Sequence, residues 1–106
     1  MNQAVIIVSE KQPQSGQKER SSNNFTLADF HEDARLTVRA YYDYDEPTQR
    51  EAADIVFDIK ADRTGKDPVV LSGISSGYVM ENTHHRNLYI ANPRNAAESF
   101  TVKISV

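Results

Sequence analysis

The chain has 106 residues, no cysteine and no tryptophan, and a mean hydropathy of −0.60. That length fits one domain with one core, and the missing cysteine excludes disulfides and thiolate metal centres. The net charge of −3 is unevenly spread: residues 25–62 carry ten acids against four bases, which excludes a nucleic-acid face there because phosphates are repelled, and no basic cluster elsewhere compensates.

The opening MNQAVIIVSE lacks the basic start and the long apolar run of a secretory signal. No stretch approaches the roughly 20 apolar residues of a membrane span. Neither a membrane partner nor export is expected, and the location is left open between cytoplasm and virion.

Residues 4–8, Ala-Val-Ile-Ile-Val, are apolar at every position and mostly β-branched, the pattern of a strand covered on both faces. Residues 10–24 contain no large apolar residue but hold Pro13, Gly16, three serines and mixed charge, the composition of a polar linker or long exposed loop. The expected division is therefore an N-terminal strand or arm with its linker, 1–24, and a β domain, 25–106. Such a linker spans roughly 20 Å, far enough for Val5, Ile6, Ile7 and Val8 to reach a neighbouring subunit and add a strand to its sheet. The alternative is that residues 4–8 are the first strand of their own domain. Both arrangements put this segment in a core and differ in whose core it is.

Residues 25–33 fit either a short strand with a turn or a single helical turn from Asp29 to Ala34. Residues 35–44 carry the clearest signal. Leu36, Val38, Ala40, Tyr42 and Tyr44 alternate with Arg35, Thr37, Arg39, Tyr41 and Asp43, which predicts a half-buried strand. Residues 51–60 admit a helix with a capping box at Thr48–Glu51, or a strand from about Ala53 with Ile55, Phe57 and Ile59 inward and Asp54, Asp58 and Lys60 outward. The β-branched and aromatic content favours the strand. Asp62–Pro68 reads as a turn. Val69–Leu71 and Tyr78–Met80 are short strands separated by Ser72–Gly77. Leu88–Ala91 and Ser99–Val106 read as a hairpin joined by Asn92–Glu98, with Phe100, Val102, Ile104 and Val106 facing the core. Six or seven short strands predict a mostly β fold, a small antiparallel β-sandwich of jelly-roll or immunoglobulin-like topology.

Several residues bear chemistry, each with a plainer explanation. His84 and His85 are adjacent, so on a strand they point to opposite faces and do not share a metal. Asp43, Asp45 and Glu46 gather carboxylates but lack the glycine and distal glutamate of a calcium loop. Asp58 and Asp62 suggest an acid–base pair in a chain too small for a deep cleft. Gly73-Ile74-Ser75-Ser76-Gly77 matches a nucleophile elbow in letters but lacks the strand-to-helix context that the elbow needs. No catalytic centre, metal or cofactor is expected. Tyr41 and Tyr89 take outward positions and offer flat apolar bodies with polar tips to a sugar or protein.

The primary expectation is a non-enzymatic structural or assembly subunit. It would form a homo-oligomer or larger assembly through sheet edges and the N-terminal arm, as viral and phage coat, decoration and tail proteins do. The alternative is a carbohydrate- or protein-binding module using Tyr41, Tyr89 and the loops at 62–68 and 72–77.

Overall fold

The computed structural model describes residues 4–18, 21–42, 50–61, 66–82 and 87–106. Among them it has no helix, and seven strands in order: β1 (Ala4–Ser9), β2 (Arg35–Tyr41), β3 (Val56–Ala61), β4 (Val69–Ile74), β5 (Tyr78–Glu81), β6 (Leu88–Arg94) and β7 (Phe100–Ser105). They form a four-stranded sheet, β1-β7-β2-β5, and a three-stranded sheet, β4-β3-β6. Every pairing is antiparallel.

Alternation places one face of each sheet against a single apolar cluster. In the larger sheet, Ile7, Leu36, Val38, Ala40, Phe100, Val102 and Ile104 are buried in it; in the smaller, Phe57, Ile59, Ala61, Ile74, Leu88 and Ile90. The rings of Phe57 and Phe100, one from each sheet, lie 5.8 Å apart at 39°. The register pairs Val38 with Ile104 and Ala40 with Val102, so the buried positions of β2 and β7 coincide. The alternation expected for residues 35–41 and 100–104 is the one observed.

Residues 25–33 form neither a strand of more than one bridge nor a helix. Leu27 and Phe30 still enter the core, because the buried Asn82 amide donates to the carbonyls of Leu27, Phe30 and His31, each at 3.2 Å. Five expectations change. The strand expected from about Ala53 begins at Val56, with residues 53–54 in a turn. Residues 4–8 are covered on one face only, with Ile6 and Val8 exposed on the other. Residues 88–91 and 99–106 are not a hairpin: β6 and β7 lie in different sheets, and Asn95–Ser99 carries the chain from one sheet to the other. Ser72–Ile74 continues β4 instead of beginning a loop. Val106 lies past the end of β7 and is 79% exposed, since the last paired residue of that strand is Ser105.

Phe57 and Val106 therefore separate sharply. Phe57→Ala removes a fully buried ring from the junction of the sheets and is expected to cost about 3–5 kcal/mol. Val106→Lys is expected to stay within about 0.5 kcal/mol of the parent. Urea unfolding monitored by circular dichroism measures both, and similar midpoints for the two variants would contradict this core.

Candidate functional site

Asp58 carries the densest polar arrangement. Alternation along β3 turns it away from the shared core, as the sequence pattern predicts, yet it is buried instead of solvated. The cause is a pair of bulges. Between Val56↔Arg94 and Asp58↔Ala91, β3 has one residue where β6 has two; between Phe57↔Ile74 and Ile59↔Leu71, β3 has one where β4 has two. Each extra pair includes a residue at positive φ, Asn92 (52°) in β6 and Gly73 (64°) in β4, conformations that asparagine and glycine tolerate best. Both bulges are aimed at the one carboxylate. The Gly73 N–H donates to Asp58 Oδ1 (2.8 Å), the Asn92 side-chain amide to Oδ2 (2.7 Å), and the Arg94 guanidinium to Oδ1 (2.8 Å). Removal from water alone would raise the Asp58 carboxyl. The bonds from Gly73, Asn92 and Arg94, with the charge of Arg94, outweigh that and hold its pKa below the ordinary value. With donors on β4 and β6 meeting a carboxylate on β3, the cluster is a clasp across the three strands.

The sequence-nominated residues do not converge on a site. Tyr41 ends β2, half-buried on the outer face of the larger sheet, opposite Thr101. Tyr89 does sit on the outer side of β6, opposite Lys60, but it is only 4% exposed, and its hydroxyl donates to Asp67 Oδ2 at 2.8 Å. The two tyrosines lie on different sheets and share no surface for a ligand. Ser75 and Ser76 sit in the turn between β4 and β5, with a strand and no helix after them. The Ser76 hydroxyl donates to Glu51 Oε1 (2.5 Å) and accepts from the Ala40 N–H (3.0 Å), which completes the end of β2. Asp43, Asp45, Glu46, Asp62, His84 and His85 lie outside the described residues. Among the described residues, no three acidic or histidine side chains gather as a metal site, and no helix is long and apolar enough to cross a membrane. A groove of about 380 Å³ runs along Glu10, Lys11, Gln12, Pro13, Gln17 and Lys18, but all of these except Pro13 are exposed side chains of one loop.

The sheet edges differ far more from one another. Beyond β6, residues 22–25 add a partial strand: Ser22 N–H donates to Ile90 O (3.0 Å), Ile90 N–H to Ser22 Oγ (2.8 Å), and Phe25 and Leu88 exchange two backbone bonds (2.8 and 2.9 Å). The segment between β1 and this strand is tied down at Gln12, whose N–H donates to Ala96 O (2.8 Å) and whose side chain accepts from the Asn95 N–H (2.8 Å). β4 is bulged and irregular along its length. β5 has only four residues and ends on Glu81, and beyond its start at Tyr78 the β2 edge is filled by Glu51 and Ala52. β1 has none of these devices. It runs six residues without charge, proline or bulge, and among the described residues no strand lies beyond it. Ile7 is 4% exposed, whereas Ile6 is 52% and Val8 67% exposed on the outer face.

No family model, curated protein or solved structure matches the chain.

The clasp has a pH signature. Because the folded-state pKa of Asp58 lies below its unfolded value, its contribution is fully present above the ordinary aspartate pKa of about 3.9 and is lost as pH falls through the folded value. Asp58→Asn is expected to lose stability at pH 7 and to show a shallower loss than the parent below about pH 4. Asp58→Ala, which leaves the Gly73 and Asn92 donors without an acceptor, is expected to cost roughly 2–4 kcal/mol. Thermal melts from pH 2 to 7 measure this; parallel pH profiles for parent and Asp58→Asn would remove the clasp from the account.

Proposed function

We propose that this chain is a non-enzymatic assembly subunit, a small β-sandwich that associates with other protein subunits through the exposed edge of β1. The observation that carries the reading is the contrast among the edges: β6 is covered, β4 bulged and β5 short, while β1 is uncharged, regular and flanked by exposed Ile6 and Val8. An edge of that kind templates further strand pairing, and proteins that stay apart blunt it with charge, proline or bulges. Val5, Ile6, Ile7 and Val8, marked in the sequence as an assembly segment, then serve assembly from within their own sheet: Val5 and Ile7 face inward, and Ile6 and Val8 offer the outer surface.

The sandwich assignment is supported by the pairings β2·β5 in one sheet and β3·β6 in the other, which correspond to the B·E and C·F pairs of an immunoglobulin-like fold. The last strand departs from that pattern, lying between β1 and β2 instead of beside β6. The analogy to coat, decoration and tail subunits rests on this architecture alone. No observation favours the tyrosine-based binding module, since Tyr89 is buried.

Light scattering across a dilution series tests the reading. The parent is expected to show a mass above the 11.9 kDa monomer at high concentration. Val8→Lys, which puts a charge on the exposed face of the edge strand, is expected to shift the population to monomer while leaving the melting temperature within a few degrees. A parent that remains monomeric up to about 1 mM, where even weak pairing of a few kcal/mol would register, overturns the proposal.

A further inference from the structure

We propose that the partner of β1 is β1 of a second copy of this chain, antiparallel to it about a two-fold axis that passes through Ile7. This deepens the assembly reading and rests on it. The strand carries no charge, so pairing it with itself sets no like charges opposite one another. A two-fold axis perpendicular to the sheet keeps the core-facing sides of both copies on the same side. Opposite residues must then share a face, and a slip of one position would turn core Ile7 outward.

Two registers that centre on a residue of β1 meet that condition with five direct pairs. Centred on Ile6, the outer face sets Ile6 against Ile6 and Val8 against Ala4. Centred on Ile7, it sets Ile6 against Val8 on both sides of the axis, with Ile7 against Ile7 and Val5 against Ser9 within. Only the second gives both exposed large side chains, Ile6 and Val8, a large apolar partner. The pairing joins two four-stranded sheets into one of eight strands.

The strand directions also allow a head-to-tail contact, because β1 of one copy would run antiparallel to β5 of the next. That edge has only four residues and ends on the charged Glu81, so it offers β1 a shorter run to pair with than a second β1 does. Five paired residues make a contact roughly 17 Å long that removes a few hundred Å² from each copy, less than the roughly 800 Å² of a standard interface. The expected product is a dimer that forms with rising concentration and dissociates on dilution.

The absence of cysteine makes the register directly readable. Directly opposite residues in an antiparallel pair have Cα atoms about 4.5–5.5 Å apart, within disulfide range. Ile6→Cys, Val8→Cys and Val79→Cys all alter exposed side chains, and far-UV circular dichroism checks that each full-length variant folds. Each is oxidised alone and in pairwise mixture, one member isotopically labelled, at a concentration where light scattering shows the dimer. A covalent dimer of the mixed Ile6→Cys and Val8→Cys pair, at least about tenfold above either variant alone, supports the axis at Ile7.

Strong cross-linking of Ile6→Cys with itself moves the axis to Ile6 and overturns the proposal. Cross-linking of Val8→Cys to Val79→Cys overturns it in favour of a head-to-tail contact. An assembly that persists with none of these cross-links overturns it while leaving the assembly reading intact. A chain that stays at monomer mass throughout removes both.

Discussion

Two antiparallel sheets that bury one face each leave four strand edges, and every edge carries backbone groups that need water or a partner. The closing of these edges organises most of the polar structure. The segment after β1 crosses to the smaller sheet and closes the β6 edge through Ser22 and Phe25. Glu51, Ala52 and Ser76 finish the edge of β2 at Ala40 and Tyr41, beyond the start of β5 at Tyr78. At β4, the bulge at Gly73 disrupts the ladder, and the Asp58 carboxylate fixes that bulge by accepting the Gly73 N–H. The clasp and the edges are one system: a buried charge on the middle strand of the smaller sheet shapes the strand on each side of it. Among the described residues, β1 receives no such treatment.

The inward and outward sides of the strands were legible because alternation depends on local geometry alone. Leu36, Val38 and Ala40 in β2, and Phe100, Val102 and Ile104 in β7, occupy the face their period of two assigns. The strand form of residues 56–61 was legible for the same reason, through Phe57 and Ile59. Strand partners were not. Asn95 to Ser99 is rich in turn formers, and a hairpin and a crossing between sheets use the same residues; only long-range pairing of β6 with β3 and of β7 with β1 and β2 separates them.

Asp58 and Tyr89 show a second limit. Alternation puts both on the outer side correctly, but outer is not the same as exposed. At Asp58 the bulges fold Gly73, Asn92 and Arg94 over the carboxylate, and at Tyr89 the residue at Asp67 meets the hydroxyl. A signal for the first was present. Gly73 lies just past the apolar Val69 to Leu71 and just before Ile74, and Asn92 directly follows the apolar Leu88 to Ala91; glycine inside a strand marks a bulge more often than a regular ladder position. Val106 extends the alternation of β7 by one step past the last residue that has a partner, so periodicity alone could not place it outside the core.

An unguarded edge on a small polar protein poses a physical problem that the symmetry of pairing bears on. Head-to-tail addition through β1 and β5 would leave a fresh β1 edge after every step, and such contacts give rings or open-ended fibres. Pairing of β1 with itself consumes the unguarded edge of both copies at once. What remains at the ends of the joined sheet is β5 twice over, an edge of only four residues that ends on Glu81. Among the described residues β6 is covered, β4 bulged and β5 short, while β1 runs regular and uncharged; if β1 pairs with itself, the assembly makes one sheet contact and then stops.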